Sequence, residues 1–159
     1  MARVGPKPSV DRVSKQIEGE FPELRSGTYV VTSEETTDYN CFAWAAGDQE
    51  RWWGPTQSPS AFWPEGAPRS RTVDAYQAAY AHFGFHPCRD GTLELGIEKI
   101  ALLAGAAGTP KHATRQLPSG RWTSKIGSYE DIEHDLETLD GGSYGRVVLF
   151  LGRPRGESR

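Results

Sequence analysis

Tyr39-Asn40-Cys41-Phe42-Ala43-Trp44-Ala45-Ala46-Gly47 is the stretch on which the reading of this chain turns. A polar, acidic segment (Ser33 to Asp38) runs into a cysteine, and a short Ala-rich apolar run follows and stops at Gly47. The pattern predicts a helix that starts at Cys41. Free backbone N–H groups and the helix dipole stabilise a thiolate at a helix start and lower its pKa, so Cys41 is a candidate nucleophile. The competing reading is a buried thiol acting as a small hydrophobe.

Upstream of this stretch, the β-branched run Thr28-Tyr29-Val30-Val31-Thr32 predicts a strand. Before it, Ser9 caps an expected helix from Val10 to about Glu20, with Val10, Val13, Ile17 and Phe21 on one face. Residues 1–8 read as a tail, 9–153 as one domain and 154–159 as a second tail.

Downstream, residues 48–70 crowd Trp52, Trp53, Phe62 and Trp63 among four prolines. Proline at that density opposes regular structure and aromatics oppose disorder, so an ordered loop is expected. It either walls a groove or covers the core. Thr72 caps an expected helix from Val73 to about Phe83, which Gly84 ends. Cys88 to Thr92 reads as a polar turn, and Gly96 to Gly105 as a buried strand. Lys111–Leu117 and Arg121–Ile126 alternate around Pro118-Ser119-Gly120, a hairpin signature. Tyr129 to Leu139 reads as a helix capped by Ser128, and Arg146 to Leu151 as a final strand. The class is α+β.

Composition narrows the function classes. A chain of 159 residues with 36% hydrophobic and 25% charged residues suits one soluble globular domain. A net charge of −3 gives no global basic field for nucleic acid or anionic membrane. No secretory leader and no apolar run of transmembrane length is apparent. Two cysteines make no disulfide scaffold, so a cytoplasmic location is expected, and export by a leaderless route is compatible with the same features.

The chemistry-bearing constellation joins Cys41 to the hairpin. A three-residue loop at 118–120 makes Leu117 face Arg121 and His112 face Ile126. On that register His112, Thr114 and Gln116 share a face, with Ser124 and Trp122 opposite and diagonal. A strand His beside a helix-start Cys suits thiol catalysis, in which the imidazole takes the thiol proton and later protonates the leaving amine. Ser124 is a candidate to orient the ring. Lys125, next to it, faces the other side. His86-Pro87-Cys88 has metal-ligand residue types but no supporting ligand pair, so no metal and no cofactor is expected. Glu130, Asp131, Glu133 and His134 read as capping and surface charge, with His134 an outside candidate for a substrate contact.

Asn40-Cys41-x-Ala43-Trp44-Ala45, followed by His112 and a strand–turn–strand, resembles the papain-like amidase and peptidase superfamily, nearest in layout to its NlpC/P60-like and CHAP-like branches. The segment from His112 to Gly127 also resembles a set of uncharacterised bacterial domains with an H…Q-L-P-x-G-x-W-x-S-K-x-G pattern. The resemblance implies a Cys-bearing helix packed on an antiparallel sheet of about four to five strands. It implies Cys41 as nucleophile, His112 as base and Ser124 at the third position, usually His or another polar residue in the family. The Cys41 backbone N–H would serve the oxyanion. Asn40, Trp44, Trp52, Trp53, Trp63 and Trp122 would contact a peptide, peptidoglycan stem peptide or side-chain amide. Two rivals stand beside a hydrolase or acyl transferase. One is a non-catalytic interaction domain on the same scaffold, binding a partner through the aromatic loop. The other is a delivered toxin.

Overall fold

The computed structural model describes residues 17–156. Seven strands form one sheet: β1 (Tyr29–Val31), β4 (His86–Cys88), β5 (Ile97–Ala104), β6 (Pro110–Gln116), β7 (Trp122–Lys125), β8 (Asp131–His134) and β9 (Arg146–Pro154). Their order is β1-β8-β7-β6-β5-β9-β4, and every neighbouring pair is antiparallel. Among the described residues the helices are few: α1 (Cys41–Ala45), α2 (Val73–Ala81) and α3 (Leu136–Leu139), with helical residues at 17–20 and a 3₁₀ turn at Pro22–Ser26. The class is α+β, as expected, but the sheet has seven strands where four to five were expected.

Two elements account for the difference. Residues 131–134, expected inside a helix from Tyr129 to Leu139, form β8 between β7 and β1. Gly127 (φ 53°) turns the chain back, and Ile126 and Glu130 close the hairpin through a backbone bond. Ile132 and His134 then fall on one face and Asp131 and Glu133 on the other, an alternation that pairing on both sides rewards more than the Ser128 cap signal does. Helix survives only over Leu136–Leu139. His86–Cys88, at the edge of the expected polar turn, pairs with β9 at the sheet margin, where Pro87 is tolerated.

Both faces of the sheet are covered. One carries α1, α2 and the aromatic segment, with Tyr39, Phe42, Trp53, Tyr76, Tyr80, Ile100, Leu102 and Ala113 in its core. The other carries Ile17, Leu24, Leu103, Ile126, Ile132 and Leu139. Residues 100–104 of β5 are therefore all buried, which is why that strand reads as continuous apolar sequence. In the proline-rich segment β2 (Trp52–Trp53) and β3 (Ala61–Phe62) pair in parallel, and Trp53 and Trp63 are buried in the first core. The segment mainly covers the core.

Several local expectations hold. Thr72 Oγ1 accepts from the Ala75 N–H at the start of α2, and Gly84 follows its end at φ 92°. In the β6–β7 hairpin, Arg115 faces Thr123, Gln116 faces Trp122, and the Leu117 N–H donates to Arg121 O, the register expected from the three-residue loop. Residues 17–20 are helical. The Ser9 cap, residues 10–16 and the tail at 1–8 lie outside the described residues. No helix among the described residues is long and apolar enough to cross a membrane.

Gly145 has φ 90°, and a Cβ there would stand 2.0 Å from the Ala104 carbonyl oxygen. Gly145→Ala should cost roughly 3 kcal/mol through backbone strain and collision. Gly47→Ala, at φ 87° with nothing nearby, should cost only about 1 kcal/mol. Urea denaturation of the two variants checks the difference.

Candidate functional site

Cys41 is the first residue of α1, and Asn40 caps it. Asn40 Oδ1 accepts from the N–H groups of Ala43 and Trp53, each at 3.1 Å, and its Nδ2 donates to Trp53 O at 2.8 Å. The side chain thus ties the helix start to β2, with both acceptor positions of its oxygen and one Nδ2 hydrogen used in doing so. Cys41 is half-buried and packs against the first core. Burial pushes its thiol up to about 12; the nearby N–H groups of Ala113, Phe42 and Cys41 and the charge of Lys125 pull the other way without offsetting it. A five-residue helix contributes little dipole, so the expected low pKa is reversed.

His112 sits on the other face of the sheet. Ala113 lies in the α1-side core, whereas the His112 ring stacks on Tyr144, which packs on the second core, with centroids 4.0 Å apart. His112 Nε2 is 3.0 Å from Ser124 Oγ, so the expected partnership of those two residues forms. Ser124 Oγ also lies 2.7 Å from His134 Nε2 and 2.8 Å from Thr114 Oγ1. His134 Nδ1–H donates to Asp135 O, which leaves its Nε2 an acceptor; that nitrogen and Thr114 Oγ1, whose own proton goes to Thr123 O, share the single Ser124 hydroxyl proton. Ser124 in turn accepts from His112 Nε2–H, and His112 Nδ1 is left without a partner.

This network is fully buried. Burial lowers His112 to about 3, with His134 adding to the effect, and lowers His134 to about 4. The structure therefore joins His112 and Ser124, adds Thr114 and His134, and forms no hydrogen bond from them to Cys41. His134, expected on a charged helix surface, is a core residue; its alternation with Ile132 is the signal that would have placed it. Lys125 faces away from His112, as expected: its Nζ lies 5.6 Å from the Tyr39 ring on the α1 side. Among the described residues no three His, Cys, Asp or Glu side chains converge as a metal set.

The tryptophans separate into two kinds. Trp44 donates its indole N–H to Thr123 Oγ1, Trp52 to Thr37 O, Trp53 to Asp48 Oδ2 and Trp63 to Pro68 O. These four are fixed by the protein's own acceptors. Trp122 alone makes no such bond among the described residues; its ring is 4% exposed, and its edge borders an open cleft of about 410 Å³ on the face opposite α1. Gln116, Leu93, Phe150, Asp135 and Glu137 line it too. Gln116 is 1% exposed; its Nε2 donates to Gly91 O, and its Oε1 has no partner. A buried acceptor left unpaired costs about 1–3 kcal/mol. The cleft's outer wall is the strap at residues 89–95. Buried Lys99 holds it through Glu94 Oε2 at 2.7 Å and Asp90 O at 2.9 Å. Gly91 lies flat on the Phe150 and Trp122 rings.

A family model described as a domain of unknown function, DUF7689, matches residues 30–152. The chain belongs to the DUF7689 family. No curated protein and no solved structure matches it. The DUF7689 span begins in β1 and ends in β9, so it takes in Cys41, the buried His–Ser–His network and the cleft.

Both histidines have folded pKa values below the ordinary 6.5, so the unfolded chain binds more protons as pH falls. The stability of the DUF7689 domain should be fully present above pH 6.5 and decline toward pH 4 and 3, by up to about 1.4 kcal/mol per pH unit for each histidine. Urea midpoints across pH 4–7.5 check this. Ser124→Ala orphans two ring nitrogens and should cost about 2–3 kcal/mol at pH 7.5 in the same assay.

Proposed function

We propose that this DUF7689 domain is a non-catalytic binding module on a papain-like scaffold, holding a peptide or protein partner. The scaffold reading draws support from the Asn40-capped Cys helix packed on an antiparallel sheet, with His112 on β6 and Ser124 on β7. The observation that carries the binding reading is Trp122. Among the described residues it is the one indole whose N–H makes no hydrogen bond, and it borders a cleft with the unpartnered Gln116 Oε1 beneath it. Such a surface, aromatic with a few convergent polar groups, is the usual form of a ligand site. The recognition surface is thus on the hairpin face, and the aromatic segment at 48–70 covers the core on the opposite face.

The thiol-hydrolase alternative needs His112 to take the Cys41 proton. A thiol held up at about 12 and a ring held down at about 3 make that transfer far uphill. Two cysteines without a disulfide accord with a reducing, cytoplasmic setting.

Iodoacetamide alkylation of the native chain, followed by mass spectrometry from pH 6 to 9, tests the reading. Cys41 should react more slowly than Cys88 throughout, and the gap should vanish in urea. A Cys41 that reacts faster than Cys88 at neutral pH would overturn the non-catalytic assignment and restore a thiol nucleophile.

A further inference from the structure

His112 is fully buried on β6, the central strand of the sheet, and a single turn supplies the ring that covers it. The turn, residues 140–145, joins α3 to β9 and lays Tyr144 flat on the imidazole, 11° from parallel with centroids 4.0 Å apart. It is closed within itself by the Gly141 N–H on Gly145 O at 2.7 Å and the Gly145 N–H on Gly142 O at 3.0 Å. Its fastening to the N-terminal layer is light and exposed. The Ser143 N–H and hydroxyl donate to the two oxygens of Glu23, at 2.9 and 2.8 Å, and Tyr144 packs on the Phe21 ring, with centroids 4.9 Å apart.

The covered imidazole is a base with nothing to receive its charge. Leu103 of β5 pairs beside it, Ser124 faces it from β7 and takes its Nε2–H, Thr114 shares its face on β6, and His134 stands beyond Ser124 on β8. Among the described residues, the one ionisable group whose charge bears on it is His134, a second base. Glu20 and Glu23 act on Tyr144 instead, as does Cys41 from the α1 side, and Lys125 also faces that side. The site a proton would take is Nδ1, which has no partner. With Tyr144 in place, that proton would leave an unpaired charge in the core. With Tyr144 lifted, Nδ1 meets water and keeps the ordinary proton affinity of an imidazole. Closure of the turn and protonation of His112 therefore exclude one another.

We propose that residues 140–145 are an acid-released latch: a proton from solvent on His112 Nδ1 drives Tyr144 off the sheet while the strands stay paired. The inference is independent of the binding reading above and concerns the other buried cluster of the domain. Lifting the turn breaks the Phe21 and Glu23 contacts with it, so an acidic setting bares apolar surface of the second core that neutral pH hides. Burial holds His112 down at about 3 in the closed form, against the ordinary 6.5. Closure is thus fully favoured above pH 6.5, and the open-to-closed ratio should rise about tenfold per pH unit below it, about thirtyfold between pH 7.5 and 5.

Native-state hydrogen exchange of the ¹⁵N-labelled full chain, followed by NMR and corrected for intrinsic rates, tests this from pH 7.5 to 5 in 0 to about 1 M urea. The N–H groups of Gly141, Ser143 and Gly145 report the latch, and that of Leu102 in β5 reports the sheet. Latch protection should fall about tenfold per pH unit below 6.5 with little dependence on urea, whereas Leu102 should stay far better protected and exchange through a urea-dependent opening. His112→Gln keeps a donor toward Ser124 and takes no proton, so it should abolish the pH slope of the latch. Glu23→Gln, at the exposed fastening, should lower latch protection about threefold to tenfold at every pH and keep the slope. Latch protection that is flat with pH in the native chain, or a slope that survives His112→Gln, would overturn the proposal. So would one shared urea dependence for the latch and Leu102 in the native chain or in Glu23→Gln, because acid would then act by unfolding the whole domain.

Discussion

The structure depends on strand parity in β6. His112, Thr114 and Gln116 project to one face of the sheet, and Ala113 and Arg115 to the other. α1 packs on the odd-numbered face, so Cys41 meets Ala113 and its backbone N–H, and His112 is committed to the far side. From that commitment follow the stack on Tyr144, the bonds to Ser124 and His134, and the placement of Gln116 and Trp122 in the floor of the cleft. A one-residue slip of β6 would exchange the two sets completely. Because both faces are buried, such a slip would bring Gln116 and His112 into an aromatic core and drive Arg115 among apolar side chains, so the register is strongly held.

The second support of the fold is Asn40. Its amide makes three bonds, one to the first turn of α1 and two to the Trp53 backbone. It thereby fixes the short helix to the aromatic segment, and that segment to the core through Trp53, Tyr80 and Phe83. α1 is too short to be stable by itself. Its existence depends on this capping and on Trp44, which stacks on Tyr39 and donates to Thr123 on β7. Asn40, Trp44 and Trp53, which resembled part of a substrate-binding set in the linear sequence, are the fastenings of the Cys helix.

Much of the local structure was legible: the helix start at Cys41, the cap at Thr72, the hairpin and its register, the shared face of His112 and Ser124. Those depend on spacing and short-range chemistry. The face that α1 covers was not legible, and the reason is physical. Parity is readable when one side of a strand is polar, but β5 is buried on both sides, so Ile100 and Ala101, or Leu102 and Leu103, carry no sign of which looks toward α1. Chain order placed a cysteine before a histidine without saying that a sheet lies between them. The β8 strand was hidden differently. Its four residues mix charge with one isoleucine and follow a serine that suits a helix start, and only pairing with β7 and β1 decides them. The role of Trp122 was hidden because an indole's freedom is visible only once the acceptors of the other four are known.

Gly91 shows how the cleft's geometry is encoded by an atom that is missing. Its backbone is not in the left-handed region, so conformation does not call for glycine. Space does: a Cβ would stand 2.8 Å from Phe150 and 3.2 Å from Trp122. Any larger residue would have to lift the strap off the two rings, parting the Gly91 carbonyl from Gln116 and filling the cleft's back wall with a methyl group or more. Residue 91 is therefore a compact marker in sequence for the presence of this recess. A family member with glycine there can keep the strap flat on its rings, and one with a side chain has a differently shaped surface, whatever it retains at positions 41 and 112.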